Sequence, residues 1–228
     1  MSAAAAAPAP RSAHDSPRSL REALPILLAH PSPRILLAGL LVAAGMRLAA
    51  GAFGLGDLLA LAIVAAYWPL QEWLIHVLVL HWKPVRVLGR DLDFAVPRKH
   101  REHHRDPWNY EILFIPIHSF LYTIPILVGS WMLLAPTPAI ALTGIAAHLA
   151  LALHYETVHF LVHTRVVPRG RLYERLWRNH RLHHFKNERY WYGVTMLSGD
   201  RLFGTAAEKD AVETSPTARA LHGGASRE

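Results

Sequence analysis

The sequence contains no cysteine, so neither disulfide bonds nor thiolate metal ligands are available to it. It also lacks the HExxH pattern of zinc proteases, the GxSxG turn of serine hydrolases, a P-loop and a GxGxxG dinucleotide motif. These absences exclude the usual sequence signatures of hydrolases and nucleotide-binding enzymes. Any metal ion has to be bound by imidazole nitrogen or carboxylate oxygen.

Acidic residues are in the minority, with 17 Asp and Glu against 24 Lys and Arg, and the net charge is +7. A basic protein of this kind could bind nucleic acid, but its basic residues lie beside apolar runs and not in one aromatic-studded patch. We therefore expect no nucleic-acid partner. The positive charge is better explained by orientation in a membrane.

Charged residues are almost absent from four apolar runs, each close to the roughly 20 residues that cross a bilayer. These runs cover residues 35–53, 58–80, 112–135 and 139–162. Arg47 near the end of the first run is expected to extend toward the lipid headgroups. Residues 1–19 are predicted to be a disordered arm, 20–205 a single membrane domain and 206–228 a disordered tail. The predicted fold class is all-α, with four transmembrane helices.

The loops between these runs differ in charge. The short connections at residues 54–57 and 136–138 carry no Lys or Arg, whereas the loop 81–110 and the segment after the fourth run are strongly basic. The positive-inside rule places basic segments on the cytoplasmic side. The sequence therefore predicts a multi-pass integral membrane protein with both termini in the cytoplasm.

Histidine is unusually abundant, with 16 residues, and ten of them form four tight groups that all fall on the predicted cytoplasmic face. The groups are His76 and His81; His100, His103 and His104; His159 and His163; and His180, His183 and His184. Spacings of three and four residues place side chains on one helical face. Ten imidazoles are too many for one ion, so we predict that they bind two metal ions.

Two acidic residues lie close to these groups. Glu156 shares a helical face with His159 and could orient a ligand imidazole, bind metal directly, or pair with an arginine. Glu72 lies one turn before His76 inside a span, where a lone carboxylate is costly, so we expect a histidine or metal partner for it. We expect both to lie next to the metal ligands in the catalytic site. The aromatic run at residues 190–192 could line a lipid entrance or form an interfacial belt.

The remaining histidines are expected to be interfacial or hydrogen-bonded residues without a metal. This set comprises His14, His30, His118, His148 and His222. His154 is expected to be a hydrogen-bonding core residue and not an additional ligand.

From about Glu72 to Thr205 the chain resembles the fatty acid hydroxylase and sterol desaturase superfamily. The order HxxxxH, HxxHH, HxxxH, HxxHH and the stretch HHFKNERYWYGVTMLSGDRLFGT are most similar to the fatty acid 2-hydroxylase branch. Carotenoid hydroxylases are also similar over VHTRVVPRGRLYERLWRNHRLHH. One departure is Gly199, because an aromatic residue usually precedes the Asp at this point.

The resemblance implies a four-span helical domain with a cytosolic helical cap that carries the ten histidines and two iron ions, for which zinc could substitute. It further implies an oxidoreductase that uses molecular oxygen to hydroxylate or desaturate a long-chain lipid, most simply a fatty acyl chain. Since the sequence contains no haem or flavin motif, electrons would come from an external ferredoxin, cytochrome or reductase. Sterol or carotenoid oxidation stays open, as does a membrane metal-binding protein without catalysis. A proton-relay transporter predicts histidines in mid-membrane, whereas these lie at one edge.

Overall fold

The computed structural model describes residues 13–221, and most of these residues are helical. The α-helices are α1 (Leu20–Ala29), α2 (Pro31–Ala49), α3 (Leu55–Leu74), α4 (Ala95–Arg105), α5 (Tyr110–Leu113), α6 (Phe120–Leu134), α7 (Pro138–Val162), α8 (Arg171–Phe185) and α9 (Ser198–Leu202). A π-helical turn covers Ile75–Leu80, and short 3-10 turns cover Ala13–Asp15, Ile117–Ser119 and Lys209–Ala211. Strands β1 (Val85–Val87) and β2 (Arg90–Leu92) form an antiparallel hairpin in which Val85 is opposite Leu92. The all-α prediction is confirmed.

Four helical stretches are long and apolar enough to cross a membrane. They are Pro31–Ala49, Leu55–Leu80, Tyr110–Leu134 and Pro138–Val162. The predicted spans agree with them to within a few residues. The first candidate span, α2, ends at Ala49, earlier than predicted. Gly51 just beyond it adopts a φ of 102°, which is unfavourable for other residues.

The described chain forms two compact units. One unit contains Leu24–Trp68 and Phe114–Thr157, and its core is built from α2, α6 and α7. The buried core residues are Leu36, Ala43, Phe120, Ile145 and Leu149. A Cβ placed on Gly39 would lie 3.3 Å from the side chain of Leu149, so this glycine permits close packing of α2 on α7.

Arg47 does not extend toward the headgroups, and that prediction is wrong. Its guanidinium is buried and donates from Nε and Nη2 to the two carboxylate oxygens of Asp57, each at 2.7 Å. The Thr143 hydroxyl donates to the same carboxylate across 2.5 Å. The physical reason is that Asp57 provides a paired acceptor inside the unit, so the charge needs no access to water. The contacts connect α2, α3 and α7.

The other unit contains, among described residues, 13–23, 69–113 and 158–221. Its largest buried side chains include Phe160, Trp191, Leu221 and most of the grouped histidines. Described parts of the predicted disordered arm and tail are packed here: the Pro17 carbonyl accepts a hydrogen bond from the Arg165 backbone, and Val212, Ala218 and Leu221 are buried. The domain boundaries at 19 and 205 stay a prediction, and residues 1–12 and 222–228 lie outside the described part.

Candidate metal centre

The ten histidines lie within one unit and form two sets of five. The first imidazole group contains His76, His81, His100, His104 and His183. The second imidazole group contains His103, His159, His163, His180 and His184. Within each group the candidate ligand nitrogens all lie within 4.8 Å of one another. Nine of the rings are buried and His81 is half-buried.

The π-helical turn explains the wide spacing of the first pair. In a π-helix the hydrogen bond joins residues five apart, and here the N–H of His81 donates to the carbonyl of His76 across 3.0 Å. This places the two rings in contact, with centroids 5.0 Å apart. The helix widens at that point, which brings both imidazoles into one group.

The two HxxHH motifs are shared between the groups in opposite ways. On α4, His100 and His104 join the first group, whereas His103 joins the second. On α8, His180 and His184 join the second group, whereas His183 joins the first. Residues four apart lie on one helical face, while the third histidine lies to one side of them. Each of these helices therefore supplies imidazoles to both groups.

The spacing of the nitrogen atoms fits imidazoles that bind a common ion. The Nε2–Nε2 distances are 3.1 Å for His81 and His183, 3.2 Å for His100 and His104, and 3.0 Å for His180 and His184. Two nitrogens bound at about 2.1 Å to one metal ion, at roughly right angles, would be about 3 Å apart. The geometry of both groups therefore fits a transition-metal ion.

The electrostatics of the rings point the same way. Burial holds the pKa of five grouped histidines on α4 and α8 well below the ordinary value, and the neighbouring imidazoles lower it further; these are His100, His103, His180, His183 and His184. These rings are therefore neutral at pH 7, which is the form that binds metal. The buried Nε2 atoms of His76, His103 and His163 have no hydrogen-bond partner among the described residues. Buried nitrogens of this kind are costly unless an ion binds them.

Backbone carbonyls fix the orientation of three rings in the first group. The Nδ1 atoms of His76, His183 and His104 donate to the carbonyl oxygens of Tyr192, Tyr190 and Ala218, at 2.7, 2.8 and 2.9 Å. A carbonyl only accepts, so in each ring the proton lies on Nδ1. Nε2 is then left with the lone pair that a metal ion requires.

The loop that carries two of these carbonyls is held by two buried carboxylates. Asp200 accepts from the backbone N–H groups of Tyr192 and Gly193, each at 2.9 Å. Glu72 accepts from the backbone N–H groups of Val194 and Thr195, the latter at 2.9 Å, and from the Thr195 hydroxyl. Four consecutive N–H groups of this loop thus bind to carboxylate oxygen.

A histidine or metal partner was expected for Glu72. The carboxylate is buried, its described hydrogen-bond partners are two backbone N–H groups and a hydroxyl group, and it belongs to neither imidazole group. The backbone N–H groups stabilise the charge in place of water. Glu72 therefore acts on the site only through the loop that holds His76.

Glu156 is also buried, and its Oε1 accepts from the backbone N–H of Ile115 across 2.8 Å. Glu156 belongs to neither imidazole group, so it is not placed as a ligand. His154 is exposed and also lies outside both groups. The expectation that His154 is a core residue is wrong, because its side of α7 faces outward in the unit.

The other described histidines also lie outside the two groups; they are His14, His30, His118 and His148. His148 accepts a hydrogen bond from the indole of Trp131 across 3.2 Å, and His118 is exposed. His222 lies outside the described residues.

The aromatic run differs from an interfacial belt. Trp191 and Tyr192 are buried, and the Tyr192 ring lies 5.3 Å from His76 and 5.1 Å from His183 between ring centroids. The indole of Trp191 donates to the Ala207 carbonyl across 2.8 Å. The Tyr192 ring therefore packs against the first group from within the unit.

Sequence reasoning did not identify Asp200 or the anchoring carbonyls as part of the site. A carbonyl carries no residue-type signal, so only the fold reveals it. The departure at Gly199 also has a structural reason. A Cβ on this residue would lie 2.7 Å from the carbonyl oxygen of Pro69 and 3.0 Å from Trp73 Cβ, so a larger residue would clash with α3.

The comparisons with known proteins agree with this geometry. A family model described as fatty acid hydroxylase matches residues 61–205, which include all ten grouped histidines. The chain belongs to the fatty acid hydroxylase family. Four candidate spans and the histidine boxes fit a membrane protein of this family.

Among curated proteins, the chain is 25% identical over 140 residues to the dihydroceramide fatty acyl 2-hydroxylase FAH2 of Arabidopsis thaliana. The match covers 60% of this chain and 56% of that protein, so the chain spans a little over half the length of this relative. The solved structure of full-length scs7p, in which only the hydroxylase domain is visible, matches with a TM-score of 0.67 at 24% identity. That match covers 83% of this chain and 69% of the other, and it shows a shared fold.

Proposed function

We propose that this protein is an oxygen-dependent lipid hydroxylase that acts on a long-chain fatty acyl group through two iron ions. The observation that carries the proposal is the pairing of two five-imidazole groups inside a fatty acid hydroxylase domain. Iron bound in such groups would supply the activation of dioxygen that is needed to oxidise an unactivated C–H bond. Zinc binds the same ligand types and could substitute without supporting the reaction.

The protein residues have defined tasks in this proposal. The ten imidazoles bind the ions, and the Tyr190, Tyr192 and Ala218 carbonyls keep three of them protonated on Nδ1. Asp200 and Glu72 fix the loop that carries the first two of these carbonyls. Burial of the rings excludes water from the ions, which protects a strong oxidant from side reactions.

The proposal also covers the substrate, the electron donor and the side of the membrane on which the site lies. The substrate is a lipid that reaches the site from the bilayer, and electrons come from an external ferredoxin, cytochrome or reductase. The basic loop 81–110 supports a cytoplasmic location of the histidines and of both termini. Hydroxylation is preferred to desaturation because the matching family model is a hydroxylase. Sterol and carotenoid substrates are the alternatives within the superfamily.

Lipid profiling of a host that expresses the full chain tests the proposal. With dioxygen that carries a heavy oxygen isotope, the host should gain an acyl lipid that is heavier by one labelled oxygen atom. His103→Ala should abolish this product, whereas His118→Ala, which changes an exposed histidine outside both groups, should leave it intact. A host profile that is the same with the native chain and with His103→Ala would contradict the proposal.

A further inference from the structure

The outer hydrogen bonds of the two imidazole groups are unequal. Three rings of the first group donate from Nδ1 to backbone carbonyls. In the second group, the buried Nδ1 atoms of His103, His180 and His184 have no hydrogen-bond partner within residues 13–221. Each group contains five imidazoles, and all ten are buried except the half-buried His81, so this difference does not follow from composition.

Such outer partners affect metal affinity. A hydrogen bond from the distal ring nitrogen fixes the tautomer and orientation and raises the basicity of the ligand nitrogen, and its loss typically weakens metal binding about 10- to 100-fold. A ring without that bond must be oriented by packing alone. The first group is therefore preorganised for an ion to a greater degree than the second.

The carbonyls themselves are held in place by charged groups. Tyr192 provides the carbonyl for His76, and its own N–H is bound by Asp200 across 2.9 Å. Asp200 is fully buried and also accepts from the Thr205 hydroxyl across 2.6 Å. Glu72 accepts from the N–H groups of Val194 and Thr195 in the same loop. The position of the loop therefore depends on these two carboxylates.

We propose that the two metal sites are unequal, and that Asp200 and Glu72 are positioning residues that make the first imidazole group the tighter site. This inference rests on the proposed function for the presence of two ions. The first group retains its ion under conditions that remove the ion from the second. Asp200 acts through Tyr192, and Glu72 acts through the segment that follows it.

Zinc provides a probe that does not change oxidation state. The purified full-length chain is loaded with zinc and exposed to rising concentrations of a chelator, and the bound zinc is counted by elemental analysis. We expect two ions to leave in two steps, separated by about 10- to 100-fold in free chelator concentration. A single step that removes both ions would overturn the proposal.

Ligand variants assign each step to a group. His76→Ala should eliminate the tighter step, and His163→Ala should eliminate the weaker step, because the two residues belong to different groups. The reverse assignment would overturn the proposal.

Asp200→Asn then tests the positioning role, because one of the two carboxylate oxygens that accept from the loop N–H groups becomes an NH₂ donor. The tighter step should shift by about 10-fold toward the weaker step, which should stay in place. Glu72→Gln should shift the same step, and it replaces Asp200→Asn if that variant does not fold.

The matched control is Asp57→Asn, which changes another buried, hydrogen-bonded Asp that lies outside the two imidazole groups. It should leave both steps unchanged. Equal shifts of both steps in Asp200→Asn, or none, would contradict the positioning role.

The zinc measurement also separates this inference from the proposed function. Two unequal ions in a chain that yields no hydroxylated lipid would contradict only the hydroxylase proposal. An active enzyme with two equivalent ions would contradict only the inference that the two metal sites are unequal.

Discussion

The backbone N–H of His81 donates to the carbonyl of His76, and this single bond of 3.0 Å closes the π-helical turn between them. The two side chains then belong to one imidazole group, together with His100, His104 and His183. His159 and His163 achieve the same outcome in the second group with a four-residue gap. One extra residue is thus accommodated by a local change of helix type, of a kind often found at functional sites.

The sharing of the HxxHH motifs predicts an unusual pattern of zinc loss. His103→Ala and His104→Ala should each cost about one ion, because these neighbours serve different groups. The combination of the two should leave almost no bound zinc. By contrast, His103→Ala combined with His163→Ala should still retain about one ion, since both changes affect the second group. Elemental analysis of the purified variants measures these outcomes. Equal metal content in the two double variants would show that the grouping is incorrect.

The histidine groups, the four spans and the resemblance to the family could be obtained from the sequence because each depends on residue type and local spacing. The partition of His103 from His100 and His104 could not, because it depends on how α4 and α8 face each other across the unit. The partner of Glu72 was also missed. Its acceptor role involves backbone N–H groups more than 120 residues away in the chain, and the backbone has no signature in the sequence.

Gly193→Ala should displace the loop that Asp200 and Glu72 hold in place. A Cβ at this position would lie 3.0 Å from the Asp200 carboxylate and closer still to the Met196 carbonyl. Overpacking of this kind typically costs about 1–3 kcal/mol. We expect a lower midpoint of thermal unfolding and easier release of the more tightly held zinc ion. The control is Gly129→Ala in α6, where a Cβ meets nothing within 4 Å, and that variant should be as stable as the native protein or slightly more stable. An unchanged midpoint for Gly193→Ala would contradict the described packing.

The buried pair of Arg47 and Asp57 should contribute to stability only as a pair. Asp57→Asn leaves the guanidinium without its carboxylate in the unit that contains α2, α3 and α7, so we expect a clear fall in the midpoint of thermal unfolding. Arg47→Met combined with Asp57→Leu removes both charges and should recover part of the loss. Thermal unfolding of the three proteins in detergent provides the comparison. A double variant that is less stable than Asp57→Asn would argue against this interpretation.

The metal-free protein should lose stability in mild acid. Burial lowers the pKa of ligand histidines on α4 and α8, while an unfolded chain titrates them near the ordinary value of about 6.5. Between the lowered pKa and about 6.5, the unfolded state binds more protons, so stability falls as pH drops through that range. Thermal unfolding of chelator-treated protein at about pH 7.5 and about pH 5.5 should show a large decrease. His118→Ala should follow the same profile, whereas a flat native profile would contradict the burial of these rings.

The segment after residue 205 should be required for metal retention. The Ala218 carbonyl accepts from His104, and the Ser215 N–H donates to the Lys186 carbonyl across 2.7 Å. Shortening the chain after Val212 removes both contacts and should raise the apparent dissociation constant of the more tightly held zinc ion by about 10-fold. A chain shortened after Leu221 retains these contacts and serves as the control. Identical zinc retention in both shortened chains would show that the segment has no role.

The anchoring of His104 by Ala218 has a consequence for biosynthesis. In chain order the first imidazole group begins at His76. The carbonyl that orients its His104 ring belongs to Ala218, which the ribosome adds 142 residues after His76. Both groups also require α8, which follows the last of the four candidate spans. The spans can therefore enter the bilayer before either metal site is complete. A metal ion that these groups bind would then be acquired only after all four candidate spans have been synthesised.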